Sequence, residues 1–207
     1  ERQCFLQSVL ISGLLQEMGM DAGVVMVSRN EKGQDTNNGH AVSLLKLPDG
    51  TDILVDASDP QPFARQQGLF VVEKGSYRYV LPAFESASPV IRQYTTVARH
   101  RTLTPREVRT LDTAFLRSQF DYYRGERAPG GLIVGKKSPA GLESAASYLR
   151  ASLQHCPGNP LSAFVLGRVY RAQGKSAEAE RQFRSAYALY TRYGWVPAGP
   201  RAAAGKG

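Results

Sequence analysis

The sequence predicts an α+β protein in two parts, a helix-led antiparallel sheet followed by an all-helical region. Three observations carry that reading. Apolar residues recur at helical spacing from Cys4 to Met18, short β-branched runs separated by turn residues follow as far as Leu81, and a second block of helical spacing extends over 142–193. Charge divides the same way: residues 1–62 hold four Lys/Arg against nine Asp/Glu, a balance of −5, whereas residues 63–207 hold 22 against nine, a balance of +13. The net charge of +8 describes neither part. A chain of 207 residues with 42% hydrophobic and 21% charged residues can bury a sizeable core. Its apolar runs fall far short of the roughly 20 residues that span a bilayer, so no membrane span is expected. The chain starts at Glu1 without a Met, which reads as a trimmed or processed piece and leaves cytoplasmic and exported locations equally open.

Along the chain, Phe5, Leu6, Val9, Leu10, Leu14, Leu15 and Met18 describe a helix burying an apolar face, with Gly19 as its stop. Val24 to Val27 reads as a buried strand, Ser28 to Gly39 as a polar loop, and His40 to Leu47 and Thr51 to Asp56 as two strands. Between the latter, Pro48-Asp49-Gly50 has the composition of a three-residue hairpin loop with a bulge at Gly50. That loop type pairs Leu47 with Thr51 and sets Val42 opposite Asp56, which puts His40 and Asp56 on one face about 7–8 Å apart along a diagonal. A two-residue loop would separate them. Gly68 to Val72 and Ser76 to Leu81 read as two more strands of the same sheet. Thr104-Pro105-Arg106-Glu107 has a capping-box pattern and predicts a helix from there to about Tyr123, followed by a Gly- and Pro-rich flexible loop from Arg127 to Gly141.

The last region repeats. Ala179, Phe183 and Ala186 fall 34 residues after Ala145, Leu149 and Ser152, and Leu166, Gly167 and Tyr170 precede the second set at the spacing of a first repeat helix. This resembles one tetratricopeptide repeat plus the second helix of a preceding one, a class of fold that holds protein partners. From Gly194 onward the composition reads as a tail.

The residues that carry chemistry lie in the first part. Cys4 opens a helix, where the positive end of the backbone dipole favours a thiolate. His40 begins one strand and Asp56 ends the next, so thiol, imidazole and carboxylate occur within 53 residues in the order a thiol-based triad needs. Singly, each has a plain structural reading: Cys4 as a small buried hydrophobe, His40 as a strand-start polar residue, Asp56 as a turn former. Together, in this order and context, they favour the triad. His155-Cys156 and His100 read as structural or solvated positions, and Lys136-Lys137 is too short for a nucleic-acid patch, which makes nucleic acid an unfavoured partner. Two cysteines without Cys-x-x-Cys or His-x-x-x-His spacing point to no metal, and no cofactor motif is present.

The run from Cys4-Phe5-Leu6-Gln7-Ser8 through Leu14-Leu15 to Val24-Val25, then Gly39-His40-Ala41-Val42, then Val55-Asp56-Ala57-Ser58, resembles the core of the transglutaminase-like superfamily over roughly residues 1–60. The resemblance implies a papain-like core, with a Cys-bearing helix on an antiparallel sheet, in domain 1–98. A connector over 99–141, tetratricopeptide-like helices over 142–193 and a tail over 194–207 would follow. It also implies Cys4 as nucleophile, His40 as base and Asp56 as its orienting carboxylate. Gln3 stands where a Gly is usual and is a candidate oxyanion donor; Val42 stands in place of an aromatic residue. The expected activity is cleavage or exchange of an amide bond in a protein or peptide substrate, and hydrolysis is favoured because bacterial members of the superfamily more often hydrolyse. The alternative is a catalytically inert fold that, with the helical repeat, serves as a protein-binding scaffold.

Overall fold

A computed structural model describes residues 3–59, 61–63 and 65–205, and of Gln3, Asn37, Asn38 and Gly39 the backbone alone. The chain divides into two compact units, Glu1–Leu111 with Tyr193–Trp195, and Asp112–Arg192 with Val196–Gly207.

In the first unit, helix α1 (Gln3–Glu17) is followed by strands β1 (Asp21–Arg29), β2 (Asp35–Lys46), β3 (Asp52–Val55), β4 (Gly68–Glu73), β5 (Ser76–Phe84) and β6 (Val90–Thr96). These six pair antiparallel in the order β1-β2-β3-β6-β5-β4, and β4 pairs back onto β1. The result is a closed six-stranded barrel. It corrects the expected papain-like arrangement of a helix on an open antiparallel sheet ahead of a repeat domain: the molecule is a barrel with six α-helices among the described residues. Two non-local pairings make the difference. β6, absent from the sequence reading, joins β3 to β5 through Asp52↔Ile91 and Leu81↔Thr95, and Val27↔Leu69 closes the ring. Closure needs Gly68, because a Cβ there would lie 2.8 Å from both the Arg29 Cβ and the Ser28 Oγ.

The barrel interior is apolar: Val25, Val27, Val42, Leu44, Leu54, Leu69, Val71, Val80, Ile91 and Tyr94 are buried there. Six successive residues of β1, Ala22 to Val27, are buried because one face lines the barrel while the other lies under α1. The hairpin follows its expected register. Lys46 pairs with Asp52, the Leu47 N–H donates to Thr51 O at 2.8 Å, and Gly50 takes the left-handed conformation with φ of 83°. β2 begins earlier than expected, at Asp35, in a hairpin with Arg29.

α1 departs most from its sequence pattern. Its inward face is Phe5, Ser8 and Ser12, while Leu6, Val9, Leu10, Leu14 and Met18 face solvent. Hydrogen bonding explains the orientation. Ser8 Oγ donates to Ala41 O at 2.9 Å, Ser12 Oγ donates to Ser43 Oγ at 2.9 Å, and Ser43 Oγ donates to Ser8 O at 3.0 Å, so a short polar seam seats the helix on β2. Periodicity alone reports that a helix has an apolar face, not that this chain covers it.

The helix expected from Thr104 is only a 3-10 turn, Pro105–Glu107. Its capping contacts are present, since Glu107 Oε2 accepts from the Thr104 N–H at 2.8 Å. The chain then extends as β8 (Val108–Arg109), pairing with β4, after β7 (Thr102–Leu103) has paired with β6. Asp112, not Thr104, caps the following helix: its Oδ1 accepts from the Phe115 N–H at 2.8 Å.

The second unit contains α2 (Thr113–Glu126), α3 (Pro139–His155), α4 (Pro160–Ala172), α5 (Ser176–Tyr193) as far as Arg192, and α6 (Ala198–Ala203), the last where the sequence reads as a tail. Small residues sit where helices cross. A Cβ on Gly125 would lie 2.8 Å from Leu149 Cγ, and one on Gly167 would lie 2.7 Å from the Phe183 ring. Since Leu149 and Phe183 are 34 residues apart, α2 supplies the small-residue contact to the first set, beyond a loop too long for the expected repeat. A buried polar cluster ties α2, α3 and α4: Ser152 Oγ meets Ser118 Oγ at 2.8 Å and Ser162 Oγ at 2.6 Å, and Asn159 Nδ2 donates to Ser118 Oγ at 3.0 Å. Asn159 Oδ1 also caps α4, accepting from Leu161 and Ser162 N–H groups. Asn159→Ala is therefore expected to destabilise this unit by about 2–3 kcal/mol, since it removes a cap and the buried amide bonds to Ser118 Oγ and Gln119 Oε1. A lowered denaturant midpoint at unchanged slope would register it.

Candidate active site

Three elements deliver the site to one end of the barrel. His40 lies in β2, paired with Val27; Asp56 immediately follows β3; Cys4 lies in the first turn of α1, which the serine seam holds against β2. Because the hairpin register sets Val42 opposite Asp56, the even-numbered residues of both strands share a face, and the imidazole reaches the carboxylate directly. His40 Nε2 is hydrogen bonded to Asp56 Oδ2. The Cys4 thiol hydrogen bonds to the same imidazole. The structure thus brings Cys4, His40 and Asp56 into one hydrogen-bonded series. Gln3, the candidate oxyanion donor, belongs to α1, but its side chain lies outside the described residues.

The carboxylate is held from several sides. Ser58 donates to Asp56 Oδ1 twice, from its N–H at 3.0 Å and from its Oγ at 2.7 Å, which reserves Oδ2 for His40. The Asp56 N–H donates to Pro62 O at 2.7 Å, fixing the main chain. Sequence reasoning noted Ser58 only as part of a resemblance. Its signal is the Asp-x-Ser spacing of an Asx-turn, in which a side-chain oxygen accepts from the backbone two residues on.

The electrostatics follow from these partners. Burial pushes the Cys4 thiol up, but the hydrogen bond to His40, the backbone N–H groups of Ala41 and Phe5 and the imidazolium charge outweigh it, so the thiol lies below its ordinary value. Burial pulls His40 down, yet the hydrogen bonds to Asp56 and Cys4 raise it to about 9. Burial likewise raises Asp56, and the bonds from His40 and Ser58 bring it below the usual carboxylate value. The three shifts agree in favouring a thiolate, an imidazolium and a carboxylate near neutral pH.

No family model matches the chain, and neither a curated protein nor a solved structure matches it. The site is therefore described by its own geometry. The other residues singled out in the sequence lie elsewhere: His155 ends α3 with its Nε2 3.4 Å from Asp121 Oδ2, and Cys156 is buried as the C-cap of the same helix. Among the described residues no group of three or more His, Cys, Asp or Glu could hold a metal ion, and no helix is long and apolar enough to cross a membrane.

Proposed function

We propose that the barrel unit is a thiol enzyme that cleaves amide bonds through a Cys4 acyl-enzyme. The observation that carries this reading is the unbroken hydrogen-bonded series from Cys4 through His40 to Asp56, with all three protonation equilibria displaced toward the ion-paired form. In such a site the Cys4 thiolate attacks the carbonyl carbon, and the C–N bond breaks as His40 gives its proton to the departing amine. The product is a thioester on Cys4. His40, now neutral, takes a proton from water; the resulting hydroxide displaces the thiolate and releases a carboxylic acid. Asp56 keeps the ring oriented and stabilises its charge throughout. The resemblance of residues 1–60 to transglutaminase-like enzymes favours the same chemistry, with water as the acceptor in preference to an amine.

A nitrophenyl acetate assay tests this without knowledge of the natural substrate. The expected result is a burst of one nitrophenolate per chain, acetyl on the Cys4 peptide by mass spectrometry, then slow turnover, with no burst in Cys4→Ala. Added primary amine distinguishes the acceptors, since a transferase would yield the corresponding acetamide. Absence of a burst, or acetyl found on Cys156 alone, would support an inert scaffold instead.

A further inference from the structure

Ser8 joins the helix to the sheet beside the site. Its Oγ lies 2.7 Å from Cys4 O, one turn back along α1, and 2.9 Å from Ala41 O on β2. A hydroxyl has one proton to give, so a single O–H is shared between the main chain of Cys4 and that of the residue following His40. The helix by itself gives no reason for a serine there. A hydroxyl bonded to the carbonyl four residues back slightly destabilises a helix, and alanine is the better helix former. The reason lies in the strand. β3 pairs with β2 only from Val55↔Ser43, two residues short of Ala41. At Ala41 it is α1 that supplies the contacts: the carbonyl accepts from Ser8 Oγ, and the N–H donates to the Cys4 sulfur. Ser8 and Ala41 are both buried, where a carbonyl left without a donor is costly.

We propose that Ser8 is a positioning residue for the thiol chemistry: its hydroxyl, shared by Cys4 O and Ala41 O, sets the first turn of α1 against β2 at the spacing that brings the Cys4 thiol to the His40 imidazole. The role rests on Cys4 being the activated nucleophile proposed above, and it names what keeps that nucleophile in register with its base. Ser12, one turn further on, bonds to Ser43 Oγ and anchors the helix, whereas Ser8 contacts Cys4 itself. The charged group facing the thiol is His40 on β2, with Asp56 behind it at the end of β3. A first turn that drifts from Ala41 weakens both the imidazole bond and the Ala41 N–H bond to sulfur, and these are the contacts that hold the thiol down against burial.

Iodoacetamide labelling of the Cys4 peptide against pH in the 207-residue chain tests this, with the urea midpoint of each variant showing that it is folded. Ser8→Ala and Ser8→Val remove the hydroxyl, whereas Ser8→Thr keeps it in a side chain the size of valine. The expected result is a wild-type labelling midpoint below the ordinary thiol value, a rise of about one pH unit in Ser8→Ala and Ser8→Val, and a return toward the wild-type curve in Ser8→Thr. A role in helix seating alone would lower the urea midpoint and leave the labelling midpoint in place. A low wild-type midpoint that the Ala and Val variants keep, or an equal rise in Thr and Val, would overturn the role of Ser8 and leave the thiol enzyme standing. A wild-type midpoint at or above the ~8.5 of a free cysteine would overturn both.

Discussion

Replacing His40 with alanine is expected to move the Cys4 thiol from below its ordinary value to above it. Burial is the strongest influence on this thiol and raises it, and the imidazole hydrogen bond is the leading opposing one. Without the ring, burial is opposed by the backbone N–H groups of Ala41 and Phe5 and by the N-terminal end of α1. A thiol that passes from below to above its ordinary ~8.5 loses thiolate at pH 7, and alkylation slows in proportion. Iodoacetamide labelling of the Cys4 peptide, with buried Cys156 as the internal reference thiol, measures it. Equal labelling rates in wild type and His40→Ala at pH 7 would show that His40 does not sustain the thiolate.

Asp56→Asn is expected to lower turnover by about 10³–10⁴-fold while leaving the fold intact, because the amide keeps the shape of the carboxylate but not its charge or its acceptor pair. The pH profile gives a sign as well as a size. The working form needs Cys4 ionised and His40 protonated, so activity falls on the acid side as the thiolate is protonated and on the alkaline side as His40 titrates, at about 9. Removing the carboxylate removes the hydrogen bond that raises His40 and keeps the burial that lowers it. The alkaline limb therefore moves to lower pH. A rate profile for acylation by an anilide, whose departing amine must take its proton from His40, checks this, and an alkaline limb still at about 9 in Asp56→Asn would detach Asp56 from the imidazole.

The parts of this site that could be read from the sequence are those set by local chemistry. Pro48-Asp49-Gly50 defines its own turn, the turn defines the register, and the register places His40 on the same face as Asp56 and diagonally across from it, so the His40–Asp56 pair follows from three residues of loop. Strands β4 and β5 are equally local. Barrel closure is not, because β1 meets β4 about 40 residues away and β3 meets β6 at similar range. Nothing in Val90-Ile91-Arg92-Gln93-Tyr94 alternates cleanly enough to announce a strand; a bulge at Arg92 of β6, opposite Ala83 and Phe84 of β5, lets Ile91 and Tyr94, three residues apart, both enter the core. Thr104-Pro105 failed as a helix start because Val108 and Arg109 were taken by the open edge of β4, a tertiary demand that outweighs local propensity. In α1 the apolar periodicity is real and points outward, since Ser8 and Ser12 find hydrogen-bond partners on β2.

The central claim is that the fold holds Cys4 as a thiolate beside a protonated His40. Measuring the rate of Cys4 alkylation by iodoacetamide across the pH range tests it most directly. The predicted curve has its midpoint below the ordinary thiol value and a second inflection at about 9, where His40 loses its proton. A single midpoint at or above the ~8.5 of a free cysteine would contradict the claim, and with it the activated nucleophile.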